Sequence, residues 1–85
     1  MSPTVLQVRG HRVMIYTNEG AEPAHVHVWQ AGREAKVWLR PVAVAYARGF
    51  SEADVHFLRR LIEDHRDTLE ELYYGIHPHT RPAAP

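Results

Sequence analysis

His25 and His27 are the residues whose types and spacing point most directly to chemistry. They sit in the stretch Asn18–Val28, which reads Asn-Glu-Gly-Ala-Glu-Pro-Ala-His-Val-His-Val. Two residues apart in a β-branched run, both imidazoles leave the same face of a strand. Such a pair can hold two corners of a zinc or similar site. It can also share acid and base roles in phosphodiester cleavage, with Glu22 as the carboxylate partner. A metal needs a further ligand, for which Glu22, Glu34, His11 and His65 are candidates, and the sequence selects none of them. The plainer use of the pair is as polar residues on a solvated or interface-forming sheet face.

Two familiar histidine arrangements do not fit. The jelly-roll metal enzymes use a similar His-x-His, but Glu34 comes too late for their spacing and the chain is too short for their barrel. Histidine-triad nucleotide hydrolases alternate a third histidine, where this chain has Trp29. Trp29, Lys36, Trp38 and Arg40 form the other chemical signal, with Arg33 nearby. Cations interleaved with aromatics can hold phosphates and stack bases. The competing use is cross-strand pairing, Trp29 on Glu34 and Trp38 over His25. Exposed tryptophans also suit a protein partner. Glu19 reads as a solvated turn carboxylate, and His65, on an apolar helix stripe, as a satisfied core histidine. His77-Pro78-His79 can bind metal adventitiously and carries no function here.

The elements that must position these groups follow from pattern and punctuation. Thr4–Arg9 and Arg12–Tyr16, around Gly10-His11, read as a hairpin in which Val8 faces Val13 and Leu6 faces Ile15. Thr17–Ala24 is a loop, with Asn18, Gly20 and Pro23 as turn formers. His25–Trp29 and Glu34–Leu39 form a second hairpin around Ala31-Gly32. With Gln30 and Arg33 flanking the turn, Val26, Val28, Ala35, Val37 and Leu39 make one apolar face. The opposite face carries His25, His27, Trp29, Glu34, Lys36 and Trp38, with Arg40 at its end. Pro41 suits a first helical position, and Val42–Arg48 before Gly49 reads as a short connecting helix. Ser51 with Asp54 resembles a capping box opening a long helix. Val55, Leu58, Ile62, His65, Leu69, Leu72 and Ile76 recur along one face of it, broadened by Phe57 and Leu61. Gly75 and Pro78 suit its end.

The expected fold is therefore α+β. Two antiparallel β-hairpins, about four strands in one curved sheet, pack against a long C-terminal helix, with the short connecting helix between. Residues 1–76 make one domain, and 77–85 a flexible Pro-rich tail.

Bulk composition narrows the function classes. With 85 residues the core is thin, since a chain this short buries only about 60% of its unfolded surface. Ten basic and ten acidic residues cancel, so no global charge drives it toward nucleic acid or membrane. Seven histidines make its charge sensitive between roughly pH 5 and 7. There is no cysteine, which removes disulfides and thiolate metal sites and fits a reducing compartment. No secretory signal is evident at the start, and no apolar run approaches the ~20 residues of a membrane span. A cytoplasmic protein without membrane attachment is expected. With so small a core, a homodimer or a protein partner is expected too, and the seam-like helix stripe can pair two protomers.

Several stretches together resemble one family: Pro3-Thr4-Val5-Leu6; Tyr16-Thr17-Asn18-Glu19-Gly20 with Glu22-Pro23-Ala24-His25-Val26-His27-Val28; Glu34-Ala35-Lys36-Val37-Trp38-Leu39; and Gly49-Phe50-Ser51 opening a helix. They are similar to the small bacterial proteins of domain of unknown function 4160. The resemblance spans roughly residues 3–74, and its specific part is Glu22–Val28. Ala24 stands where members typically have a second proline. The resemblance implies small cytoplasmic proteins whose genes often lie beside another small gene, an arrangement like toxin–antitoxin modules. It identifies no catalytic residues. Two functions are expected from the whole. One is a component of a toxin–antitoxin-like module acting through a protein partner and on RNA, with Glu22, His25 and His27 as acid and base and Lys36 and Arg40 on the phosphate. The alternative is a metal- or small-ligand-binding module using His25 and His27, with zinc as the metal.

Overall fold

The computed structural model describes residues 3–18 and 20–82; Glu19, singled out above as a turn carboxylate, lies outside the described residues. Five strands run in chain order: β1 (Thr4–Val8), β2 (His11–Met14), β3 (His25–Gln30), β4 (Arg33–Leu39) and β5 (Val42–Arg48). They form one antiparallel sheet ordered β1-β2-β3-β4-β5. Two helices follow, α1 (Glu52–Asp64) and α2 (Arg66–Ile76), then a 3₁₀ turn at Pro78–Thr80.

The β3–β4 hairpin has the expected register: His25 faces Trp38, His27 faces Lys36, and Gln30 with Arg33 flanks the turn. Val26, Val28, Ala35, Val37 and Leu39 are fully buried on its apolar face. Leu58, Leu61, Ile62, Leu69 and Tyr73 of the helices join them in one core. Ser51 caps α1 as expected, its Oγ accepting from the Asp54 amide while Asp54 accepts from the Ser51 amide.

Three expectations are corrected. The first hairpin turns at Arg9-Gly10, so Val8 faces His11 and Leu6 faces Val13. Both turn residues have positive φ, as do Ala31 and Gly32, the pattern of two-residue turns that match strand twist. The one-residue shift sends His11 to the helical side, buried against Phe57 at 4.9 Å.

Second, Val42–Arg48 is a fifth strand, not a connecting helix. Val42, Val44 and Tyr46 alternate with alanines, a period-2 pattern of β-formers. Arg40-Pro41, joined by a cis bond, makes the turn, with Leu39 facing Val42.

Third, the long helix breaks at His65. Its Nδ1–H donates to the Leu61 carbonyl at 2.9 Å, competing with the helical ladder, and its own amide reaches back to Ile62. The break rephases α2: Tyr73 enters the core at 1% exposure, while Leu72, expected on the buried stripe, is 38% exposed. His65 is half-buried at this junction, and Gly75 lies inside α2.

The chain after α2 is held at its start. His77 is buried, and its Nε2–H donates to the Tyr16 carbonyl at 2.9 Å. A side chain at Gly20 would meet His77 at 2.6 Å, so this loop position must be bare backbone. No helix among the described residues is long and apolar enough to cross a membrane.

Candidate functional site

The helices pack on one side of the sheet, α1 on β4 and β5 and α2 on β4. The other side carries His25, His27, Trp29, Glu34, Lys36 and Trp38, by the alternation of β3 and β4. Registers add Arg12 and Met14 from β2, opposite Trp29 and His27, and Tyr46 from β5, opposite Lys36.

Glu34 is the hub of this face. Its Oε2 accepts from Tyr46 Oη at 3.0 Å, His27 Nδ1 at 3.1 Å and Tyr16 Oη at 3.2 Å. Tyr16 in turn accepts from Trp29 Nε1 at 2.8 Å and lies flat on His27, ring centroids 3.7 Å apart. A second cluster surrounds Glu22. Lys36 Nζ donates to both of its oxygens, at 2.8 and 2.9 Å, and sits 4.5 Å from the Trp38 ring centre. His25 Nε2 lies 3.7 Å from Glu22 Oε2. Tyr73 Oη donates to the Glu22 carbonyl at 3.2 Å, tying this loop to α2.

His25 and His27 are thus brought together, ring centroids 5.3 Å apart, but both are almost fully buried. Their Nδ1–H groups donate to the Pro23 carbonyl, at 2.8 Å, and to Glu34. These bonds fix the orientation of both rings. Glu22, with 41% of its side chain exposed, is the accessible carboxylate; Lys36 is largely covered.

Arg40 is not part of this group. It projects from the β4–β5 turn to α2, donating to Glu70 at 2.7 and 3.0 Å, and that bond and charge hold its pKa above the ordinary value. Of the further ligands considered for a metal, His11 and His65 belong to the helical side, whereas Glu22 and Glu34 lie beside the pair. Among the described residues, no group of three or more His, Asp or Glu side chains is disposed to hold a metal ion.

Tyr16 and Tyr46 were not singled out from the sequence. Tyr46 was hidden by reading its segment as helix. The Glu34–His27 bond was accessible in principle, since the correct register places the two diagonally on one face.

Burial, then the hydrogen bond and charge of Glu34, push the Tyr46 phenol from its ordinary 10.0 up to about 12. Its folded value exceeds its unfolded one. Its contribution to stability is therefore intact below pH 10 and is lost as pH rises toward about 12. An ultraviolet titration of the phenols is expected to show a late ionisation that Tyr46→Phe removes. A Tyr46 midpoint at the ordinary value would contradict the buried bond to Glu34.

No curated protein and no solved structure matches this chain. A family model does, over residues 10–73 of the 85, which takes in the sheet from the Gly10 turn, the His25–Glu34 face, all of α1 and most of α2. The chain belongs to the family described as Domain of unknown function (DUF4160).

Proposed function

We propose that the protein works through the sheet face carrying Trp29, Glu34 and Lys36, as one component of a toxin–antitoxin-like two-gene module in the cytoplasm. In this reading a protein partner covers the face, and RNA is the substrate when it does not. The supporting observation is the sidedness of the sheet. Helices cover one side, while the other presents half-buried aromatics over ordered acid–base groups.

The chemistry turns on Glu22. Its carboxylate is engaged by Lys36, so an arriving phosphate competes for that ammonium. Displaced, Glu22 becomes a base beside His25, and Lys36 faces the charge that develops on the phosphorane. His27, stacked and hydrogen-bonded, holds the face in register.

Expression in a bacterial host without the neighbouring gene product tests this. Slowed growth with fragmented RNA is expected, relieved by the partner and by Glu22→Gln. Unchanged growth and intact RNA for the wild type and His27→Ala alike would remove the RNA-cleaving reading.

A second reading, zinc held by His25 and His27, draws support from the carbonyl and carboxylate that orient both rings. It predicts near one zinc per purified chain, lost in His25→Ala. Metal-free protein whose melting ignores added zinc would end it.

A further inference from the structure

Beside the Glu34 network lies an open cleft of about 540 Å³, between the Arg9-Gly10 and Ala31-Gly32 turns. Its volume falls in the range of small-molecule sites. Arg12, Met14, Tyr16, Trp29 and Gln30 line it, with backbone of the two turns at its rim. A side chain at Gly10 or Gly32 would meet nothing, so the rim is open.

The aromatics of this face differ in how their rings are used. Tyr16 stacks on His27, Arg48 covers Tyr46 at 4.7 Å, and Trp38 is covered by Lys36 and edged by His25. Among the described residues, Trp29 alone of the four has neither an aromatic nor a cationic ring partner. Its Nε1–H is fixed by Tyr16, which holds the indole in place. Arg12, directly across from it on β2, donates only to Thr4 Oγ1 and has no carboxylate partner among the described residues. Among the described residues, no acidic side chain lines the cleft. An oriented indole beside an unneutralised guanidinium, with no opposing carboxylate, matches one ligand chemistry: a planar base joined to a phosphate.

We propose that this cleft binds a nucleotide, its base stacked on Trp29 and its phosphate paired with Arg12. The choice of an RNA nucleotide over a free one rests on the reading above. Trp29 and His25 sit on one strand face, about 13 Å apart along β3 at the usual rise per residue. A chain held at Trp29 therefore runs toward Glu22 and Lys36.

Anisotropy of a fluorescein-labelled hexauridylate, titrated with the full chain, tests the site. Trp29→Ala is expected to weaken binding by about tenfold or more. Arg12→Ala is expected to weaken it by about fivefold and to lower the salt dependence by about one ion. Trp29→Phe, which keeps a stacking ring, stays within about threefold of wild type. Arg59→Ala, exposed on α1, binds as wild type. Should Trp29→Ala fail to fold, Trp29→Phe and Arg12→Ala still decide the matter. No binding, or binding unchanged in both Trp29→Ala and Arg12→Ala, overturns the assignment. Competition by adenosine monophosphate equal to that of unlabelled oligomer keeps the nucleotide site and overturns the choice of RNA. Binding without cleavage keeps this cleft and removes the RNA-cleaving reading. Cleavage that survives both substitutions keeps that reading and overturns the cleft.

Discussion

Glu34→Ala is expected to lower stability by about 3 kcal/mol, which for a chain of this size is a fall of about 15 °C in melting temperature. One oxygen of Glu34 accepts from Tyr16, Tyr46 and His27. Without it three donors on a largely covered face lose their acceptor together. Each orphaned donor costs about 1–3 kcal/mol when water cannot replace the partner. Here the losses overlap, because the vacated space admits water at the 16% exposed edge of Glu34. Glu34→Gln keeps an acceptor oxygen and should lose about 1 kcal/mol, for the charge assistance alone. Thermal melts of both variants check this. A fall of under about 3 °C for Glu34→Ala would mean that the network does not hold this face.

Tyr73→Ala is expected to be more damaging still, at about 3–5 kcal/mol. The ring is among the largest fully buried side chains, packing beside His25 at 5.7 Å and His77 at 4.8 Å. Its hydroxyl holds the Glu22 carbonyl. Truncation leaves a cavity where α2, the Glu22 loop and the start of β3 meet. Small domains have total stabilities of about 5–15 kcal/mol, so this variant approaches unfolding at physiological temperature. Tyr73→Phe separates the two roles. It keeps the ring and loses only the hydrogen bond, about 1 kcal/mol, while releasing the Glu22 loop. Chemical denaturation gives both values. Equal losses for Ala and Phe would show that the hydroxyl, not the ring, carries the residue's role.

The parts of the fold that were legible are those where local chemistry leaves one answer. Ala31-Gly32 between two alternating runs defined the β3–β4 register, and with it which side chains share the His25–Glu34 face. The Ser51–Asp54 cap marked the start of α1. Where two local patterns compete, the sequence did not decide. Pro41 suits a helix start, yet it closes a turn, and the Val42-Ala-Val-Ala-Tyr46 alternation outweighs it once β4 offers an unpaired edge. The apolar stripe continued through His65 because periodicity does not register a side chain bonding its own helix's carbonyl.

The candidate site was legible in its members more than in its arrangement. His25, His27, Glu22 and Lys36 do converge, and Trp29 and Trp38 share their face. Their burial was not legible, since the covering groups come from far along the chain: Tyr16 over His27, Tyr46 from β5, Tyr73 from α2. Arg40 shows the converse. Strand alternation aligns it with Lys36, but it lies just past the end of β4, where the turn swings it to Glu70.

The central claim is that the sheet face carrying Trp29, Glu34 and Lys36 is the working surface. The measurement that tests it most directly is a two-dimensional NMR titration of the isotope-labelled chain with single-stranded RNA. The account predicts shifts in the Trp29 and Trp38 indole signals and in the amides of β2, β3 and β4, with the exposed side of α1 and α2 unmoved. Shifts confined to the helices, or none while the chain remains folded, would contradict it.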